Sequence, residues 1–219
     1  MKKISFLVIT IFISACAIDA TKKENLEETK LISSISDKYV GIELKNSYQW
    51  LGIPYAEPPQ GSLRWKAPRA LSKQKEKVNA FKFSDACPQV PSISLDRGGS
   101  GEYTGSEDCL YLNIFTPKKI SSDKKLPVMF WIHGGGNTSG EAASYDFSKL
   151  ASAHDLVIVS INYRLGFLGW FYHPAFAATS NNLEDKSGNF GTLDQIMALK
   201  WVKQNIEDFG GDKNNVTIF

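Results

Sequence analysis

Net charge is nearly absent from this 219-residue sequence: 25 Lys and Arg face 23 Asp and Glu. Lys2 and Lys3 fall in an N-terminal segment argued below to be removed, and no acid precedes Asp19. The remaining chain therefore stands at 23 against 23. Without a basic stripe, nucleic-acid binding drops out as a function class. Apolar runs approaching the about 20 residues of a membrane span are also missing. Cysteine and histidine are scarce, at three each. No His or Cys sits at metal-ligand spacing near Cys87 or Cys109, so no metal is implied, and nothing points to a cofactor. There are no internal repeats and no low-complexity tracts. What is present is an ordinary globular composition, 42% hydrophobic and 22% charged, which excludes a disordered chain or a collagen-like fibre. A chain of this length buries roughly 70% of its unfolded surface.

The N-terminus reads as an export signal. Lys2-Lys3 precede an apolar stretch from Ile4 to Ile13, and Ser14-Ala15-Cys16-Ala17 follow. Ile13-Ser14-Ala15-Cys16 resembles a bacterial lipobox, in which the cysteine is lipidated and becomes the first mature residue. Ala15-Cys16-Ala17 also fits ordinary A-x-A cleavage, which would discard it. Residues 1–15 are thus expected as a signal peptide and 16–38, polar and charged, as a tether. The expected location is a membrane anchored through Cys16 and facing the periplasm or cell exterior; ordinary cleavage makes it secreted or periplasmic. Export leaves Cys87 and Cys109 as an even pair in a disulfide-permissive compartment. A crosslink there closes a loop carrying Pro88, Pro91 and Gly98-Gly99-Ser100-Gly101, and contributes roughly 3 kcal/mol.

Turn residues dominate until about residue 106. Beyond it, Leu110 to Phe115, Val128 to Ile132 and Leu156 to Ile161 read as strands, the last two continuously apolar as in buried parallel sheets. Phe147 to Ala153 is expected as a short helix between the latter two, giving a β-α-β crossover. Thr192 to Phe209 carries an apolar stripe (Leu193, Ile196, Met197, Val202, Ile206 and Phe209) at helical spacing. Thr192 and Gln195 match a capping box, and Gly210-Gly211 stop the helix. Val216 to Phe219 starts another strand.

The candidate chemistry lies in His133-Gly134-Gly135-Gly136, directly after a strand. Glycines there let the backbone turn off the sheet edge with its amides outward. Two such N–H groups can hold the oxyanion of a tetrahedral acyl intermediate, at roughly 3 kcal/mol per donor. The same pattern is the H-G-G-G oxyanion loop of lipases and esterases.

The sequence resembles the type B carboxylesterase family of α/β-hydrolases, which includes the cholinesterases. The matching stretches are Gly52-Ile53-Pro54-Tyr55-Ala56 with Arg64-Trp65, Ser106-Glu107-Asp108-Cys109-Leu110-Tyr111-Leu112-Asn113, and Trp131 to Gly136. Asn162-Tyr163-Arg164-Leu165-Gly166-Phe167-Leu168, Gly188-Asn189-Phe190-Gly191 with Asp194-Gln195, and Phe209-Gly210-Gly211-Asp212 follow in family order. The resemblance implies an α/β-hydrolase fold over residues 39–219, with a mostly parallel central sheet and flanking helices. It implies that Gly135 and Gly136 donate to the oxyanion, that Cys87 and Cys109 form a disulfide, and that Arg64 and Glu107 form a buried ion pair. Asn162-Tyr163-Arg164 and Asp194 are then structural. His133 heads the loop without being the general base, and His154 and His173 match no catalytic position.

Two departures stand out. Asn137 follows the third glycine, where the family usually has a bulky aromatic. The family's V-T-x-F leads into a nucleophile elbow such as G-E-S-A-G, whereas here Phe219 is the last residue. None of the serines fits G-x-S-x-G; Ser100 follows Gly98-Gly99 but has Glu102 two positions later. The expectation is a serine esterase acting on small-molecule carboxylic esters, of which these 219 residues lack the Ser, acid and His and are inactive alone. The alternative is a family member without catalysis that serves as an extracellular binding or adhesion protein.

Overall fold

Val157–Ile161, a five-residue run rich in β-branched side chains, is buried at every position and forms an interior strand of the main sheet. The computed structural model describes residues 27–28, 32–33, 38–72, 77–90, 103–119 and 125–219. The signal segment with Cys16 and the stretch Gly98 to Gly101 lie outside the described residues.

The strands are β1 (Glu27–Glu28), β2 (Ile32–Ser33), β3 (Lys38–Val40), β4 (Ile42–Glu43), β5 (Ser47–Pro54), β6 (Lys77–Asn79), β7 (Tyr111–Pro117), β8 (Leu126–Ile132), β9 (Val157–Ile161) and β10 (Gly211–Ile218). The α-helices are α1 (Ser148–His154), α2 (Gly166–Gly169), α3 (Pro174–Ala178) and α4 (Phe190–Asn205). The main sheet runs β1-β4-β5-β7-β9-β8-β10, and a small sheet runs β2-β3-β6. Two strands, β1 and β2, fall inside the stretch expected as a tether.

Parallel pairing in the main sheet is confined to β9 with β8 and β8 with β10; the pairs from β1 through β7 to β9 are antiparallel. The sheet is therefore mixed, where a mostly parallel one was expected. The antiparallel pairing of β4, β5 and β7 needs no crossover helix. The expected crossover is present, with α1 between β8 and β9.

Alternation along the strands sorts side chains to two faces. Val128 and Phe130 join Val157, Val159 and Ile161 against Trp201, Val202, Ile206 and Phe209. Ile158 and Phe115 pack instead with Phe147 and Ala151 of the α1 side, where Met129 and Trp131 are half-buried.

In β5 the register shifts between Trp50 and Ile53. Gly52 sits in that bulge with φ +73°, and its freed N–H donates to Asn113 Oδ1 at 2.9 Å. Asn113 in turn donates to Ser160 Oγ at 3.1 Å, so one side chain links β5, β7 and β9. A Cβ on Gly52 would lie 2.5 Å from the Lys82 carbonyl oxygen. Gly52→Ala is therefore expected to destabilise the chain by at least 1–2 kcal/mol, roughly the left-handed cost alone. A urea midpoint equal to wild type would refute the bulge account.

Helix α4 differs from its sequence reading in two ways. It begins at Phe190 after Asn189, so Thr192 lies inside it and no capping box forms. Thr192 Oγ1 instead accepts from Trp170 Nε1 at 3.3 Å. The buried face also includes Asp194 and Asn205, while Ile196 is exposed. The last turn tightens into a 3-10 segment, Ile206–Phe209, which Gly210 ends at φ +84°.

Candidate active site

Strand β8 ends at Ile132, and the chain turns off the sheet through His133 to Gly140. Gly135 and Gly136 take φ +116° and +61°, and Asn137 follows at +60°. These left-handed conformations suit glycine, and asparagine tolerates them better than most other residues. A Cβ on Gly135 would run into the Ser139 carbonyl, so the loop closes tightly on itself. The Gly135 carbonyl accepts from the N–H groups of Thr138 and Ser139 at 3.1 and 3.2 Å. Among the described residues, the N–H groups of Gly135 and Gly136 donate to nothing. Both glycines are exposed.

His133 is buried, stacks on Tyr163 at 4.4 Å, and places Nδ1 2.9 Å from the Gly134 carbonyl. A carbonyl only accepts, so Nδ1 carries the hydrogen. Burial pushes the imidazole below its ordinary value of 6.5, with the Gly134 carbonyl opposing. The ring is thus neutral and braces the loop. Because the folded value is depressed, the stability from neutral His133 is present above pH 6.5 and lost as pH falls through the lowered value. His133→Gln is expected to flatten the stability-versus-pH curve in that window; an unchanged slope in urea titrations would count against it.

The segment after β9 holds the loop from the other side. Tyr163 donates its hydroxyl to the His133 carbonyl at 2.7 Å, and the Gly166 N–H donates to the Asn137 carbonyl at 2.7 Å. Asn162 Oδ1 accepts from the Ala142 N–H at 2.7 Å, and its carbonyl accepts from the Tyr55 hydroxyl at 2.6 Å. Arg164 is buried and forks onto Asp194 of α4, with Nε and Nη2 donating at 2.8 and 2.7 Å. Its Nη1 donates to the Lys66 carbonyl at 2.8 Å.

Cys87 and Cys109 are bonded, both buried, with Cα atoms 5.1 Å apart. Arg64 Nε and Nη2 donate to Glu107 at 2.7 and 2.5 Å. That pair is not buried, in contrast to the expectation: the two side chains are 41% and 26% exposed. Arg64 lies at the end of a short surface turn, Gly61–Leu63, where solvent reaches it. His154 and His173 stand at the end of α1 and the start of α3, away from the loop.

Beside Gly135 lies a groove of about 550 Å³ lined by Pro88, Val90, Tyr103, Leu165 and Phe167 among others, with no charged side chain in its wall among the described residues. Gln89 also lines it, a residue that no motif in the sequence singles out. Among the described residues no cluster of His, Cys, Asp or Glu is placed to hold a metal ion, and no helix is long and apolar enough to cross a membrane.

Comparison with known proteins agrees with this geometry. The family model described as the carboxylesterase family matches residues 29–219. The chain is 41% identical over 192 residues to a para-nitrobenzyl esterase of Bacillus subtilis, covering 87% of this chain and 37% of that protein. It is 42% identical over 191 residues to a liver carboxylesterase of Sus scrofa, covering 83% and 32%. A solved structure titled PNB esterase superposes with TM-score 0.75 at 41% identity over 86% of this chain and 38% of that one. A Geobacillus stearothermophilus carboxylesterase superposes at 0.72 and 34% identity, over 87% and 37%. The chain spans little more than a third of the length of most of these relatives.

Proposed function

The chain belongs to the carboxylesterase family, and on that premise we propose that it is the part of a serine carboxylesterase that supplies the oxyanion loop and one wall of the substrate groove. The observation that carries this reading is the pair of amides at Gly135 and Gly136, unpartnered among the described residues, beside a groove walled mostly by apolar side chains. In ester hydrolysis a serine attacks the carbonyl carbon, its proton passes to a histidine, and negative charge gathers on the carbonyl oxygen. Fixed N–H donors aimed at that oxygen stabilise it more than they stabilise the neutral ester. The serine, acid and histidine come from sequence other than these 219 residues, which contain no G-x-S-x-G. Without a nucleophile the 219-residue chain alone forms no acyl-enzyme.

The apolar side chains along the described wall of the groove, Val90, Leu165 and Phe167 among them, favour an uncharged ester over an ionised group. The N-terminal segment sends the protein out of the cytoplasm, with Cys16 as the lipid anchor or lost by A-x-A cleavage. A non-catalytic binding role is the second reading; the intact glycine loop favours the enzyme, because binding alone has no use for free oxyanion donors.

The test is a chimera in which residues 39–219 replace the matching part of the Bacillus subtilis para-nitrobenzyl esterase. Hydrolysis of p-nitrophenyl acetate is expected from the chimera and not from the 219-residue chain. A chimera that folds, by near-UV circular dichroism, yet shows no turnover would transfer the case to the binding role.

A further inference from the structure

We propose that Gln89 is a positioning residue for the oxyanion loop, its side-chain amide fixing Gly140 and so the path of the glycines, and tying that loop to the Cys87–Cys109 disulfide. Gln89 is buried. Its Oε1 accepts from the Gly140 N–H at 2.8 Å, and its Nε2 donates to the Gly140 carbonyl at 2.9 Å. Exchanging both bonds with one residue is how paired strands hold each other, here done by a side chain. The remaining Nε2 hydrogen goes to the Cys87 carbonyl at 3.1 Å, so both donors and the oxygen of the amide are engaged.

Gln89 itself is held firmly. Its backbone exchanges both hydrogen bonds with Thr104 at 3.0 and 2.9 Å, across the loop that the disulfide closes. Gly140, at φ +116°, presses against the start of the glycine loop: a Cβ there would strike the Gly134 carbonyl and His133 Nδ1. Gly140 is thus packed closely against His133 and Gly134. Gly134 to Thr138 are exposed, so anchors from the surrounding segments decide where the amides point. Tyr163 and Gly166 anchor it from the β9 side, and Gln89 anchors it from the disulfide side. The functional meaning rests on the esterase reading, whereas the contact does not.

Amide hydrogen exchange by mass spectrometry on the oxidised 219-residue chain tests this at pH 7. Gln89→Met keeps the length and loses the hydrogen bonds; Gln89→Glu keeps the shape and, ionised, has no hydrogen to donate. Both are expected to speed exchange of the hydrogen-bonded amides within residues 133–140, those of Thr138, Ser139 and Gly140, by about tenfold, the scale of one lost buried hydrogen bond. Residues 157–161 of β9 should stay within twofold of wild type. A packing role alone would leave the isosteric Gln89→Glu at the wild-type rate. Unchanged exchange at 133–140 in both variants overturns the proposal, as does equal loosening of β9 in both. If Gln89→Met fails to fold, Gln89→Glu decides on the same two criteria. The readout needs no ester, so an inactive chimera sinks the esterase reading alone and an unmoved loop sinks the role of Gln89 alone.

Discussion

Asp194→Ala is expected to cost the chain about 3–5 kcal/mol, close to the whole stability of a marginal domain. Asp194 is fully buried on α4, and Arg164 is 2% exposed. The pair shares two side-chain hydrogen bonds, and Asp194 Oδ2 also accepts from the Arg164 backbone N–H at 3.1 Å. Burial pushes the carboxyl upward, while the guanidinium beside it favours its ionised form. Removing the carboxylate strands a guanidinium in a dry interior, where only the Lys66 carbonyl still accepts from it. The backbone has no slack to let water in. A Cβ on Gly191 would lie 2.7 Å from the Arg164 carbonyl, and one on Gly169 would strike it too. Urea unfolding at pH 7 checks the figure, and a loss under 1 kcal/mol would show that the pair contributes little. Replacing both partners by apolar residues, Arg164→Met with Asp194→Leu, should recover much of the loss. The consequence reaches the site, because Arg164 is flanked by Tyr163 and Gly166, which hold the glycine loop.

Gly135→Ala in the esterase chimera is expected to lower kcat by about 10² to 10³ with little change in KM. The added Cβ meets the Ser139 backbone, which cannot swing aside as a side-chain tip would. At φ +116° the substitution is also strained whatever the space. The loop must open, and its amides leave the narrow range over which a donor reaches the oxyanion. Ground-state binding depends on the groove walls and is largely spared. Gly134→Ala is the internal control: nothing lies within 4 Å of a Cβ there, and its φ is not positive. It should keep kcat within a few-fold. Equal losses for the two variants would mean that loop flexibility, not the Gly135 amide, is what matters.

Much of the strand pattern was legible along the chain, because Val128 to Ile132 and Leu156 to Ile161 are apolar enough to declare burial by themselves. Helix α4 was legible as a helix but not in its facing. A hydrophobic stripe cannot anticipate that Asp194 turns inward, since the reason is an arginine 30 residues away. Thr192 shows the same limit: its spacing to Gln195 fits a cap, yet the helix starts two residues earlier and a tryptophan from α2's far end uses its hydroxyl.

The candidate site divides along the same line. The order of amino acids by itself determined that a glycine loop leaves the end of a buried strand and that the chain shares its motifs, Cys109 among them, with carboxylesterases. Those are properties of neighbours in the chain, and local sterics and alternation suffice to read them. Tertiary structure alone decided that the main sheet is mixed, that the Arg64–Glu107 pair faces solvent, that Gly52 bulges β5 onto Asn113, and that Gln89 grips Gly140. The last two depend on which distant backbone groups are left without partners once strands pack, since buried donors and acceptors are paired with few exceptions. That demand is met through contacts 61 and 51 residues apart at Gly52 and Gln89, a distance over which no local pattern carries information.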